Sequence, residues 1–276
     1  MSGNDQQEKV SLSGASETLL IPLYARARES QQPRPLLVDE QAQTVLARIA
    51  YDFERLKVPR KTAVMLCMRS RKLDDSAREF LRGQPHSVVI HLGCGLDGRY
   101  GRVDNGQVEW YDVDMPEVIE LRRKFYAESE RYHLIAAPVS PPEWVAAIDA
   151  RQRPVLVIAE GVMMYLKEGE LRDLILRLKA TFPGSELVFD AYSVLTAQNA
   201  VRHPALKQTG AVVHWGIDDA RAIEQWAEGI RLVSEWYFTQ AADLAQLDWG
   251  YRLAFWLAGM FPLVRKAHRI VHYRLG

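Results

Sequence analysis

The chain is poor in cysteine, in net charge and in long apolar runs, and each shortage closes off a class of function. Cys67 and Cys94 are its only cysteines. Their spacing fits neither a disulfide framework nor a metal site, so a reduced, cytoplasmic setting and no metal are expected. Lys plus Arg equals Asp plus Glu at 35 each in 276 residues, which leaves no basic field for nucleic acid and no acidic excess for disorder. A small-molecule partner is the expectation. The longest apolar stretch, Trp249 to Pro262, contains Arg252 and falls short of the roughly 20 residues that span a bilayer. It is expected to be a buried helix rather than a membrane or partner-binding one. The opening MSGNDQQEKV has no apolar core and reads as a flexible leader over residues 1–10, not a signal peptide. No internal repeat or low-complexity segment is visible.

What is present divides at Gln84 and Pro85. Residues 11–84 show helical spacing, as in Val45, Ile49, Phe53 and Leu56, and carry little strand signal. They read as a helical layer laid against the remainder of the chain. From residue 85 to 276, apolar runs alternate with amphipathic segments. Strands are expected at Ser87–Leu92, Val108–Val113, Tyr132–Val139, Pro154–Ala159 and Leu187–Ala191, with helices at Pro116–Glu128, Pro142–Asp149 and Lys167–Lys179. That alternation predicts an α/β fold with a parallel sheet covered on both faces. The segment 194–228 interrupts the rhythm. Two further strands, Arg231–Phe238 and Arg269–Arg274, bring the count to seven, the last one inserted antiparallel.

The chemistry concentrates between Ser87 and Asp114, SVVIHLGCGLDGRYGRVDNGQVEWYDVD. A strand without polar alternation runs into Gly93, Cys94 and Gly95, where a ligand can approach bare backbone. A second strand ends on Asp112 and Asp114, placed to accept hydrogen bonds from ribose hydroxyls. With Gly98 the loop spells GxGxxG, and Asp112 lies downstream at about the spacing a dinucleotide fold needs. Against a dinucleotide stands the segment LDGRYGRVDNG, which leaves only a turn or two of helix before the next strand. A diphosphate would lose the sustained helix N-terminus that binds it. S-adenosylmethionine carries no phosphate and loses nothing. Side chains alternate along a strand, so only one of the two aspartates can face the ribose; Asp114, next to Met115 and Pro116, is nearer the open end.

Glu160 ends a wholly apolar strand and leads into Gly161 and VMMYL. A carboxylate at that edge belongs to the cleft at the strand C-termini. Met163 and Met164 suit core packing or pocket lining equally, and Tyr165 can close over a cofactor. The cofactor's own carboxylate calls for a guanidinium. Arg69 in CMRSRKLDD, Arg26 in YARAR and Arg99 beside the glycine loop are the candidates. On the acceptor side stand His203, His214 and Trp215, in the irregular segment after strand five, and Tyr192 at that strand's end.

Four stretches, RSRKLDDSAREFL, VVIHLGCGLDGRYGRV, VEWYDVDMPEVIELRRKF and VLVIAEGVMMYL, occur in the order of the motifs of the leucine carboxyl methyltransferase superfamily. The chain resembles most its bacterial branch of tetracenomycin-type polyketide O-methyltransferases. The resemblance implies a class I S-adenosylmethionine-dependent methyltransferase, Rossmann-like, with a helical lid built from the N-terminal layer and the insertion at 194–228. It further implies that Arg69 holds the cofactor carboxylate, that Gly93 is the loop glycine, that Asp114 binds the ribose and that Glu160 opens the motif after strand four. The chain departs from the family after strand three. Where relatives carry an acid near the adenine it reads AAPVSPPEW, leaving Ala137, Pro138 and Val139 to meet the base through backbone and apolar surface.

The expected reaction is O-methylation of a small secondary metabolite at a carboxylate or hydroxyl. A carboxylate is already ionised and needs no general base, whereas a phenol usually does. No histidine is marked out as a base by its surroundings in the sequence, which favours the carboxylate. The competing readings are a protein C-terminal leucine as acceptor, an NAD-dependent oxidoreductase, and a fold that binds S-adenosylmethionine without turnover.

Overall fold

The computed structural model describes residues 19–200, 211–240 and 242–276; the expected leader and His203 lie outside them. Seven strands form one sheet in the order β3-β2-β1-β4-β5-β7-β6. They are β1 (Val88–Leu92), β2 (Glu109–Asp114), β3 (Tyr132–Ala136), β4 (Val155–Ala159), β5 (Ser185–Tyr192), β6 (Ile230–Tyr237) and β7 (His268–Leu275). Strands β1 to β5 are mutually parallel, with Ile90 flanked by Tyr111 and Val157. β7 runs antiparallel to both neighbours, pairing Asp190 with Ile270 and Val271 with Glu235. The chain winds outward from β1 to β3, then returns to β4 on the other side. That reversal opens a crevice beyond the C-terminal ends of β1 and β4.

The uninterrupted apolar character of β1 and β4 comes from burial on both faces. Ile90, Val157 and Phe189 share one cluster with Leu171, Leu174 and Leu178 of α6 (Glu168–Thr181). Val89, Leu156 and Val188 turn the other way, onto Leu73, Ala77 and Leu81 of α3 (Arg60–Gly83). Each buried leucine contributes about 1.5–3 kcal/mol relative to exposure, so α3 is an integral layer of the core. It is also one helix of 24 residues, longer than its apolar spacing shows. The reason is that its inward face carries Arg69, Ser70 and Asp74, all buried, and these polar residues break the apolar period.

The N-terminal helices α1 (Leu20–Glu29) and α2 (Glu40–Arg48) pack against the glycine loop. Leu20, Leu23 and Val45 share a cluster with Leu96, Leu121 and Phe125. Asp39 caps α2, accepting the Ala42 N–H at 2.9 Å. The remaining short helices on the sheet are α4 (Arg99–Val103), α5 (Pro116–Arg122) and α7 (Val194–Asn199).

One expectation is overturned. The apolar stretch near the C-terminus is a helix, Trp249–Gly259, but only Phe255 in it is buried. Trp249 is 77% and Trp256 61% exposed, and Met260, Phe261 and Leu263 continue the exposed surface. The helix lies between β6 and β7, outside the sheet's layers, so its apolar side chains have no neighbouring layer to cover them. Among the described residues no helix is long and apolar enough to cross a membrane.

Candidate active site

β1 ends in a tight loop. Gly93 and Gly95 have φ of +60° and +49°, a left-handed conformation that costs other residues about 1–2 kcal/mol. α4 begins after Gly98 and is five residues long, too short to offer a diphosphate a sustained helix terminus. The Gly95 N–H donates to Asp114 Oδ2 at 2.7 Å and the Met115 N–H to Oδ1 at 2.7 Å. Asp114 thereby joins the tip of β2 to the loop. Burial raises its carboxyl above the ordinary value, and the two N–H groups and distant Arg122 only partly offset this. Each oxygen keeps a lone pair for a further neutral donor.

Asp112 was the other candidate for the ribose, and its surroundings correct that reading. Its side chain is fully buried and accepts from Trp110 Nε1 at 2.8 Å, from the Tyr132 hydroxyl, and from Arg122. Burial would raise its carboxyl, but Arg122 and His91 hold it down at about 2. Arg122 in turn donates to the carbonyls of Gly95 at 2.8 Å and Asp97 at 2.6 Å. Asp112 is therefore an anchor behind the loop and has no free edge toward a ligand.

Arg99 is likewise consumed. It donates to Asp74 Oδ1 at 2.7 Å, Ser70 Oγ at 3.2 Å, Glu160 and the Nε2 of His91 at 2.9 Å. Since arginine only donates, His91 accepts at Nε2 and turns its Nδ1–H to Asp112 at 3.2 Å. Arg26 is held by Asp39 at 2.9 Å and the Leu96 carbonyl at 3.3 Å. Neither arginine is free to take a cofactor carboxylate. Arg26 braces the loop through the Leu96 carbonyl, and Arg99 braces Glu160.

Arg69 occupies a different place. From the middle of α3 it reaches the open ends of β4 and β5, where its guanidinium lies 3.1 Å from Glu160 Oε1 and 2.9 Å from Asp190 Oδ2. Gly161, with φ +68°, brings its N–H to Asp190 Oδ1 at 2.6 Å. A Cβ there would stand 3.4 Å from the Arg69 guanidinium, an ordinary contact, so it is the left-handed φ that calls for glycine. Burial would lift the Asp190 carboxyl; Arg69, then a hydrogen bond from His268, hold it far below the usual range. His268, the first residue of β7, donates from Nε2 to Asp190 at 2.8 Å.

Sequence reasoning placed Asp190 inside the fifth strand without a role and missed His268, His91, Asp74 and Asp97. Asp97 alone had a signal, its position inside the glycine loop. Tyr192 packs edge-on against His268, ring centroids 4.7 Å apart, and burial pushes its hydroxyl up to about 12. Tyr165 is half-buried and shifted the same way by burial. Cys94 is buried and held as a thiol well above its ordinary range, chiefly by that burial. His214 is exposed; its backbone N–H and that of Trp215 donate to the Met164 carbonyl at 2.8 and 3.1 Å. The insertion after β5 is thus tied back to the segment after β4, and Trp215 is buried against Phe189. Among the described residues no cluster of three metal-ligating side chains occurs.

The residue pattern of the family described as leucine carboxyl methyltransferase matches residues 20–179. The chain is 40% identical over 270 residues, 96% of its own length and 98% of the other's, to the tetracenomycin polyketide synthesis O-methyltransferase TcmP of Streptomyces glaucescens. It is 33% identical over 283 residues, 94% and 92% of the two lengths, to the S-adenosyl-L-methionine-dependent methyltransferase dpfgK of Gibberella zeae. A crystallised DUF574 family protein of Streptomyces avermitilis shares the fold, with a TM-score of 0.57 at 15% identity over 93% of this chain and 96% of that one. The sheet order with β7 reversed is that of an α/β class I methyltransferase. With a family pattern spanning more than half of its residues and relatives aligned over nearly all of them, the chain belongs to the leucine carboxyl methyltransferase family.

Proposed function

We propose that this chain methylates an oxygen, carboxylate or hydroxyl, of a small polyketide-like molecule, with S-adenosylmethionine as methyl donor. Its membership of the family makes it an S-adenosylmethionine-dependent methyltransferase; the acceptor class is our inference. A relative at 40% identity is named for polyketide synthesis, which favours a small molecule over a protein C-terminal leucine.

The donor set suits this cofactor and does not suit a dinucleotide. Asp114 is a half-buried carboxylate satisfied so far by backbone N–H groups alone, the environment in which neutral ribose hydroxyls are good partners. Glu160 and Arg69 offer opposite charges side by side, matching the ammonium and carboxylate of an amino-acid moiety. The observation that carries the reading is Arg69 bridging Glu160 and Asp190 at the mouth of the crevice beside Gly161. In it, Gly93, Cys94, Gly95 and Met115 present backbone to the nucleoside, Asp114 binds the ribose, and Arg69, Glu160 and Gly161 hold the methionine end. Tyr165 flanks that end, and α1 and α2 form the lid with the described parts of the insertion after β5.

When bound, the cofactor supplies an electrophilic methyl on a sulfonium. As positive charge leaves sulfur and negative charge leaves the acceptor, the protein gains most from aligning the two and excluding water. Calorimetry with S-adenosylhomocysteine and with NADH tests the site: tight NADH binding overturns the proposal. Labelled-methyl transfer to a panel of aromatic acids, phenols and a leucine-ended peptide tests the acceptor. Binding without transfer to any of them favours a non-catalytic protein, and transfer to the peptide alone favours the protein substrate.

A further inference from the structure

We infer that His268 is the acceptor-side catalytic residue, its Nδ1 contacting the acidic O–H of the methyl acceptor; the inference rests on the methyltransferase reading above. The other described histidines are placed elsewhere. His91 is sealed beneath the glycine loop, His133 lies beside Glu109 on the outer strands β3 and β2, and His272 pairs with Glu186 near the opposite end of the sheet. His86 precedes β1 at the closed end, and His214 is exposed on the insertion. His268 alone among them is joined through Asp190 to Arg69, a residue proposed to hold the cofactor. Because β7 is reversed, its first residue pairs with Tyr192, the last of β5.

The tautomer is set by its partner. Asp190 is ionised by Arg69 and can only accept, so His268 donates from Nε2. A neutral imidazole then has its lone pair on Nδ1, and among the described residues no hydrogen bond reaches that atom. Phe238 and Tyr192 wall the ring, with centroids 4.8 and 4.7 Å away. The charged groups facing it are Asp190 on β5, Arg69 on α3 and Glu160 after β4, while nearby Arg265 is turned onto the Tyr237 ring. Burial first, then Arg69, depresses its basicity below the ordinary value against the pull of Asp190, so it is neutral at pH 7.

In the reaction the acceptor oxygen forms a bond to the methyl carbon as the carbon–sulfur bond breaks and its electron pair stays on sulfur. The acceptor's proton ends on Nδ1, and the resulting imidazolium, stabilised by Asp190, returns it to solvent. A phenolic O–H satisfies this balance, whereas a carboxylic acid arrives ionised and has no proton to give. The two differ in pH dependence. With a phenol, kcat/KM rises with pH through the His268 pKa; a carboxylate, which arrives ionised and needs no base, shows no such limb.

The test is His268→Gln, whose amide keeps the donor to Asp190 and lacks the Nδ1 base, alongside His268→Ala. The expected result is a loss in kcat/KM of roughly 100-fold or more, disappearance of the wild-type pH limb, and unchanged S-adenosylhomocysteine binding by calorimetry. Nitrogen-15 NMR of the wild type should show the Nε2–H tautomer, with Nδ1 protonating on acceptor binding. A Gln variant that turns over like wild type with the same pH profile, or an Nδ1–H tautomer, overturns the assignment. Failure of the wild type itself to bind S-adenosylhomocysteine would instead overturn the underlying reading.

Discussion

Gly93 and Val162 meet so closely that a Cβ built on the glycine would lie 2.1 Å from Cγ2 of the valine. The loop after β1 and the segment after β4 are therefore fitted to each other across the switch point of the sheet. Gly93→Ala should destabilise the protein by the left-handed penalty, about 1–2 kcal/mol, plus the cost of moving Val162. Val162→Ala on that background should recover the second part only. Thermal melts of the two single variants and the double variant measure this coupling, and strict additivity would contradict it.

Acid should act on the anchor behind the loop. Asp112 titrates at about 2 in the fold against 3.8 for a free side chain. A carboxyl depressed by folding contributes stability that is fully present above the free value and lost as pH falls through the folded one. Here that window runs from about pH 4 down to about 2, and the contribution is about 2 kcal/mol. Urea midpoints for wild type and Asp112→Asn, compared between pH 6 and pH 3, should converge as the pH is lowered.

The Trp249–Gly259 helix gives the opposite expectation. Trp256 is 61% exposed, so Trp256→Gln should change stability by no more than about 0.5 kcal/mol. A buried core tryptophan would cost about 3–5 kcal/mol on truncation. A large drop in melting temperature would restore the buried-helix reading.

These contrasts mark where the sequence was legible. Strands β1 and β4 announced themselves because burial on both faces demands unbroken apolar runs, and the shortness of α4 could be counted between Gly98 and Glu109. Gly93, Asp114 and Glu160 follow or end strands and Arg69 lies in a motif, which is how the sequence singled them out. Asp112 misled because alternation says which face a side chain takes, not what waits there; Arg122 comes from the next helix. His268 was invisible because its partner Asp190 is 78 residues away, joined only by the reversed register of β7. The polar face of α3 hid its length for a related reason, since Asp74 is satisfied by Arg99 and Arg102 from α4.

Arg69 has two obligations, to Glu160 and to Asp190, and substitutions should separate them. Arg69→Met leaves the buried Asp190 without its guanidinium, while Glu160 keeps Arg99, a loss of roughly 3–5 kcal/mol. Arg69→Lys keeps the charge, but one compact ammonium cannot fork between two carboxylates and a ligand. It should fold, with S-adenosylhomocysteine binding weakened roughly 10–100-fold. Calorimetry and melting curves read the two effects independently. A lysine variant that binds as tightly as wild type would mean that Arg69 only supports the fold.

Asp114 offers the sharpest test of what lies in the crevice. Its two oxygens already accept from Gly95 and Met115, so Asp114→Asn perturbs the loop as well as any ligand, and weaker binding alone would not identify the partner. The discriminating comparison uses S-adenosylhomocysteine and its 2′,3′-dideoxy analogue on wild type and variant. If the ribose hydroxyls donate to Asp114, the substitution should weaken the parent ligand roughly 10-fold or more. It should weaken the analogue, which has no hydroxyls to lose, far less. Equal losses for both ligands would place the ribose elsewhere and leave Asp114 as a loop anchor like Asp112. The wild-type affinity should also fall in acid at a higher pH than for an ordinary aspartate, because burial has raised this carboxyl and its protonated form has one acceptor fewer to give.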